Sequence, residues 1–212
     1  MSRFLVVLDV DSTLIEDEVI ELIADRAGTR ELVAEVTARA MRGELDFAAS
    51  LRERVATLRG VPVDALDAVR AAVRVTRGVP ELVAGVHAAG GAIAAVSGGF
   101  HEVLDPLAAR LGLDRWRANR LGAADGCLTG EVDGAIVDAA AKAESLLAWA
   151  DELGVPRSRT IAIGDGANDL RMMDVAALSI AFDAKPRVRE EADLSLPGRD
   201  LADVLAVLGL RG

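Results

Sequence analysis

The apolar pattern begins with Phe4-Leu5-Val6-Val7-Leu8, an uninterrupted run closed by Asp9. A run this short, with no polar alternation, predicts a strand covered on both faces, as at the centre of a parallel sheet. From Glu16 to about Val75 the spacing changes to threes and fours: Val19, Ile20, Ile23 and Ala24, then Leu32, Val33 and Val36, then Leu51, Val55 and Leu58. That periodicity predicts several short helices. Gly78-Val79-Pro80 predicts a helix start with proline in the first turn, the Gly90-Gly91 pair its stop, and Ala92 to Val96 a second central strand. Thr160 to Ile163 and Leu178 to Ala181 predict two more strands with helices between them, and such alternation implies right-handed crossovers and a parallel sheet. Alternation around Asp125-Gly126 and Thr129-Gly130 predicts a β-hairpin over Gly122 to Gly134, with Leu128 and Val132 on its packed side. Met172, Met173, Trp116 and Trp149 are read as packing residues.

Composition narrows the picture. At 212 residues the chain is long enough for one domain carrying a modest insertion. With 51% hydrophobic but only 3% aromatic residues, the core must be built from Ala, Val, Leu and Ile, the palette of helices on a parallel sheet. The net charge of −10 argues against a broad grip on nucleic acid or anionic lipid. The single cysteine, Cys127, has no internal disulfide partner, and no Cys/His cluster suggests zinc, so a reducing compartment, the cytoplasm, is expected. The first apolar run is too short for an export signal, and Leu82 to His101 is broken by Gly85, Gly90, Gly91, Gly98 and Gly99, so no membrane span is expected.

In an open parallel sheet ligands gather beyond the carboxyl ends of the strands. Asp9 and Asp11 follow the first predicted strand, Ser97 the second, and Asp165 and Asp169 a later one. An acid at one strand end ordinarily closes a turn or caps a helix. Four carboxylates brought together at several ends call for a cation, and hard oxygen donors select Mg²⁺. Asp9-Val10-Asp11-Ser12-Thr13, Ser97-Gly98-Gly99, Lys142 at a predicted helix start, and Gly164-Asp165-Gly166-Ala167-Asn168-Asp169 come in an order that resembles the haloacid dehalogenase superfamily over nearly the whole chain. Within it the chain is similar to the phosphoserine phosphatases in DVDSTL, Glu18, Phe47 to Val55, VSGGF, ANRL, LTGEV and GDGAND.

The resemblance implies an α/β fold: a Rossmann-like parallel sheet flanked by helices, with an inserted helical cap and a small β-hairpin flap. Residues 1–15 and 76–212 would form the core and 16–75 the cap. Asp9 would attack phosphorus, and Asp11 would protonate the leaving oxygen and then deprotonate water. Ser97, Gly98, Lys142 and Asn168 would hold the phosphate. The metal would take the carboxylates of Asp9 and Asp165 and a main-chain oxygen of Asp11, with Asp169 orienting a metal water or Lys142. Glu18 would receive the substrate ammonium and Arg54 its carboxylate, while Met41 and Phe47 wall the site. Arg52, two positions from Arg54, would point elsewhere on its helix. The implied reaction is hydrolysis of O-phospho-L-serine, the last step of serine biosynthesis, by a monomer or homodimer whose partner is that small molecule. Another small phosphate monoester, transfer to an alcohol instead of water, and a phospho-acceptor receiver module are the alternatives. His87 and His101 match no family role and are not assigned to catalysis.

Overall fold

The computed structural model describes residues 2–42 and 44–210, the side chain of Met41 excepted. The first apolar run is β1 (Leu5–Leu8), and it lies at the centre of a seven-stranded sheet. Its neighbours are β2 (Ala92–Phe100) and β5 (Thr160–Gly164), both parallel to it. β6 (Leu178–Phe182) and β7 (Leu194–Leu196) extend one side, while β3 (Arg115–Ala124) and β4 (Cys127–Asp133) extend the other, in the order β4-β3-β2-β1-β5-β6-β7. Only β4 runs antiparallel, closing a hairpin through Asp125 and Gly126, both with positive φ.

All four side chains of β1 are fully buried, yet they divide by parity. Val6 and Leu8 join Ile93, Ala95, Ile161 and Ile163 on one face; Leu5 and Val7 join Ala92, Ala94 and Ala162 on the other. Period-two alternation is present in the fold but silent in the sequence, because both faces are apolar. The second face is rich in alanine, and it carries α7 (Ala139–Leu153), α8 (Leu170–Val175) and α9 (Pro186–Glu191) through Leu146, Ala150, Met172, Met173 and Val188. Opposite it pack α5 (Val79–Ala88), α6 (His101–Leu111) and α10 (Asp203–Val207).

Between β1 and α5 lie α1 (Val19–Ala27), α2 (Arg30–Met41), α3 (Phe47–Ala56) and α4 (Ala65–Ala72). The chain leaves and re-enters the sheet side by side. Ile15 bridges Val75, the Glu16 amide donates to the Arg74 carbonyl at 2.9 Å, and the Thr76 amide donates to the Leu14 carbonyl at 3.1 Å. The exposed Arg74 clasps Asp17 across this pair of crossings, at 2.7 Å.

Two strands escape the apolar-run reading. β3 begins at Arg115, well before the expected hairpin, and its first half pairs in parallel with β2. Its sequence, Arg-Trp-Arg-Ala-Asn-Arg-Leu, has no apolar run: Ala118 and Leu121 are buried and Trp116 packs on the core, but arginines and the buried Asn119 stand between them. β7 is a three-residue edge strand with Leu194 exposed, too short to show a pattern. The hairpin itself matches expectation, with Leu128 buried and Val132 packed against the core.

Candidate active site

Three strand ends meet at one cleft of about 630 Å³, roofed by α1, α2 and α3. β1 ends in a tight π-type turn, Val10–Leu14, that turns the backbone back on itself. Asp9 opens this turn by accepting from the Val10 amide at 2.7 Å. Ser12 stands inside it at φ 60°, a left-handed conformation that costs a non-glycine residue about 1–2 kcal/mol. The turn sends both Asp9 and Asp11 toward the cleft, where each is a lining residue.

Lys142, in the first turn of α7 and fully buried, bridges Asp9 at 2.5 Å and Asp169 at 2.7 Å. Burial alone would strip the proton from this ammonium, but the charges of Asp169 and Asp9 outweigh it and hold Lys142 above its ordinary value. The carboxyl of Asp9 is driven well above the carboxylate range, first by burial and next by the charge of Asp169, with Lys142 pulling the other way. Asp165 is raised by the same two causes. Lys142 contacts Asp9 and Asp169, and Lys185 stands 3.8 Å from Asp165, which leaves the three carboxylates short of positive charge.

That shortfall bears on a metal. Carboxylate oxygens of Asp9, Asp165 and Asp169 lie within 4.8 Å of one another. Asp169 has both oxygens engaged, one by Lys142 and one by the Gly166 amide at 3.1 Å. Asp9 keeps one oxygen without a donor among the described residues, and the nearest donors to Asp165 are Thr13 at 3.4 Å and Lys185 at 3.8 Å. The donor set is all oxygen and underneutralised, which fits a hard divalent cation such as Mg²⁺.

Asp11 is held differently. One oxygen accepts from the Val19 amide, the first of α1, at 2.7 Å, and the other accepts from the Ser97 hydroxyl at 2.9 Å. Burial raises its pKa and these two hydrogen bonds only partly restore it, so this carboxyl is set toward carrying a proton. Ser97 in turn accepts from the Gly99 amide at 2.7 Å. Close approach dictates glycine here. A Cβ on Gly98 would meet the Phe47 ring at 2.8 Å, and one on Gly164 would meet the Asp169 carboxylate at 2.3 Å.

Across the cleft, Glu18 receives the Ser12 hydroxyl at 2.8 Å. Although part of its side chain still meets solvent, burial and the neighbouring Asp11 charge raise it to about 7. Arg54 is half-buried, and among the described residues its side chain bonds only the Ser50 carbonyl, at 3.3 Å; burial lowers its pKa, with Glu18 and Asp11 opposing.

Asp9, Asp11, Glu18, Phe47, Arg54, Gly98, Asp165 and Asn168 all line the cleft, whereas Ser97, Lys142 and Asp169 sit in its floor, out of solvent. Arg52 is exposed and does not line it. The side chain of Met41 lies outside the described residues. Neither histidine lines the cleft: His87 meets Asp114 and His101 meets Asp105. Sequence reasoning passed over Lys185, which follows β6, lines the cleft and donates its backbone amide to the Asp165 carbonyl at 3.1 Å. The strand-end rule that found Asp165 would have found it.

Comparison with known proteins agrees with this architecture. The profile of haloacid dehalogenase-like hydrolases matches residues 6–174. The chain is 49% identical to phosphoserine phosphatase of Streptococcus thermophilus, covering 96% of this chain and 95% of that one. It is 54% identical to phosphoserine phosphatase of Streptomyces coelicolor over 97% of its own length, but spans only 50% of that longer relative. A solved phospho-aspartyl intermediate analogue of phosphoserine phosphatase superposes with a TM-score of 0.91 at 40% identity, covering 98% of this chain and 99% of the other. With matched sequence, matched fold and the strand-end acids in one cleft, the chain belongs to the haloacid dehalogenase-like hydrolases and, within them, to the phosphoserine phosphatases.

Proposed function

We propose that this chain hydrolyses O-phospho-L-serine to L-serine and phosphate in the cytoplasm, passing the phosphoryl group through Asp9. One observation carries the reading above all. A buried lysine bridges Asp9 and Asp169 beneath a cleft whose opposite wall presents an acid, Glu18, and a base, Arg54. A phosphate monoester bearing an ammonium and a carboxylate has the matching three charges.

An oxygen of Asp9 attacks phosphorus in line with the serine oxygen, the ester P–O bond breaks, and Asp11 gives its proton to the departing alkoxide. Asp11, now ionised, takes a proton from water as the water oxygen attacks phosphorus. The bond to Asp9 then breaks, inorganic phosphate leaves and the carboxylate is restored. The hydroxyl of Ser97, the turn at Gly98, the ammonium of Lys142 and the amide of Asn168 hold the phosphoryl oxygens throughout. Mg²⁺, held by the carboxylates of Asp9 and Asp165 and the main-chain oxygen of Asp11, would supply the further positive charge that those oxygens require. Asp169 keeps Lys142 charged and in place.

The helical segment 16–75 acts as a cap on the core formed by 1–15 and 76–212. The paired crossings at 14–16 and 74–76 support that division. Glu18 receives the substrate ammonium, Arg54 its carboxylate, and Phe47 walls off the apolar side. The test is phosphate release from L-phosphoserine with Mg²⁺, beside sugar, nucleotide and glycolytic phosphates. A strong preference for phosphoserine is expected; equal rates across the panel would refute the cap assignments while leaving the phosphatase chemistry intact.

A further inference from the structure

The parallel pairing of β2 with β3 breaks inside β2, where the Ser97–Gly99 segment bulges out of register. Val96 stands opposite Arg117 and Phe100 opposite Asn119, so four steps along β2 match two along β3. Such a bulge re-aims side chains and strands backbone groups without ladder partners. Two side chains supply those partners. Asn119, 1% exposed, donates from Nδ2 to the Gly98 carbonyl at 2.8 Å. His101 accepts at Nε2 from the Ala118 amide at 3.1 Å, while its Nδ1 faces an Asp105 oxygen at 2.6 Å. The hydrogen-bond network therefore assigns the proton to Nδ1.

Asn119 has a second partner. Its Oδ1 accepts from the Val137 amide at 2.7 Å, two residues before α7, the helix that brings Lys142 to the floor of the cleft. One buried carboxamide, with donor and acceptor both engaged, therefore spans the serine–glycine turn and the start of the lysine helix. The Gly98 carbonyl and the Gly99 N–H belong to one planar peptide and point opposite ways. Drawing the carbonyl toward Asn119 accordingly aims the Gly99 N–H at Ser97 Oγ, at 2.7 Å.

We infer that Asn119 is a positioning residue whose carboxamide sets the spacing between the Ser97–Gly99 turn and Lys142, an inference that rests on the phosphatase reading above for what those two elements hold. It touches neither substrate nor metal in that reading; it acts through the groups that do. Asn119→Asp is the sharpest probe. It preserves shape and the acceptor for Val137 but, at alkaline pH where the buried carboxyl ionises, sets a carboxylate oxygen against the Gly98 carbonyl with no proton between them. Asn119→Ala removes both bonds.

The experiment uses the full chain with Mg²⁺ at alkaline pH, well below its unfolding temperature. It measures turnover of p-nitrophenyl phosphate, calorimetric affinity for inorganic phosphate and for L-serine, and backbone hydrogen exchange. For Asn119→Asp we expect turnover and phosphate affinity each to fall about ten- to hundredfold, as ångström-scale misplacement does, with serine affinity unchanged. Exchange should quicken at 98–101 in Asn119→Asp, and at both 98–101 and 137–142 in Asn119→Ala, while β5 and β6 stay protected. Unchanged phosphate affinity in both variants, or exchange that quickens evenly across the sheet, would overturn the inference and leave Asn119 an ordinary core residue. If Asn119→Asp does not fold, Asn119→Gln, which displaces both groups by one methylene, carries the same expectations. If the wild type releases no phosphate from any monoester, the phosphatase reading fails, and the exchange pattern alone decides whether Asn119 couples the two segments.

Discussion

Lys142 and Arg54 are both cations directed at one cleft, and they are held in opposite ways. Lys142 is fully buried and locked between two carboxylates at 2.5 and 2.7 Å, on a helix packed against the sheet. Arg54 is half-buried, and among the described residues its side chain makes one hydrogen bond, a 3.3 Å contact to a carbonyl of its own helix. The acids divide similarly: Asp169 has both oxygens engaged, whereas the Glu18 carboxyl has, among the described residues, a single hydroxyl partner and a pKa of about 7. The Lys142–Asp169 pair is locked before any ligand arrives, and the helical wall keeps donors and acceptors in reserve. Preorganised charge belongs where chemistry must be common to every turnover, and unsatisfied charge where one ligand must be chosen over others.

That contrast can be broken at the floor with the largest effect. Asp9→Asn removes the nucleophile while leaving the fold's apolar contacts intact, so phosphate release should fall by more than about a thousandfold for every monoester tested. Residual turnover near wild type would remove Asp9 from the mechanism. Asp11→Asn comes next. It removes the proton donor, and loss of general acid catalysis should slow phosphoserine hydrolysis about 100-fold or more. The same variant should lose far less on p-nitrophenyl phosphate, whose leaving group needs no proton, when attack on phosphorus is measured as the burst of nitrophenolate. Equal loss on both substrates would assign Asp11 a purely structural part.

Changes in the helical wall should be smaller and substrate-selective. Arg54→Ala should raise KM for phosphoserine about ten- to hundredfold, the worth of a charge-assisted hydrogen bond or two, and change p-nitrophenyl phosphate turnover less than about threefold. A matched loss on both substrates would move Arg54 from recognition to catalysis.

The smallest effect follows from the raised pKa of Glu18, about 7 against an ordinary 4.5. In the folded chain this acid keeps its proton at pH values where the unfolded chain has already lost it. Its contribution to stability is therefore full below about pH 4.5, declines as pH rises toward 7 and is flat beyond. Ammonium binding runs the other way, since it needs the ionised form. KM for phosphoserine should fall about tenfold between pH 6 and pH 8, and that limb should vanish in Glu18→Gln, as read from initial rates across the range.

Asp9, Asp11, Ser97, Asp165 and Asp169 were legible because each lies within a few residues past an apolar run, and parallel strands share a carboxyl edge. Lys142 was legible as the one cation in an alanine-rich helix start. Lys185 and Asn119 were passed over for different reasons. Lys185 sits three residues past a strand and shares its surroundings with ordinary helix-start residues. Asn119 lies in an arginine-rich strand with no apolar run, and its two partners, Gly98 and Val137, are 21 and 18 residues away in sequence. No local pattern records a hydrogen bond at that separation.

By itself the sequence determined four central strands and the hairpin, the parallel sheet, the run of helices after the first strand and the strand-end acids, all of which follow from short-range periodicity and from residues adjoining it. Only the tertiary structure decided which face each β1 side chain takes, that β3 begins at Arg115, that Lys142 is shared between Asp9 and Asp169, and that one asparagine ties the Gly98 turn to the lysine helix. Periodicity is a property of neighbours along the chain. Desolvation, charge balance and the filling of a broken strand ladder depend on groups that meet only when distant segments pack.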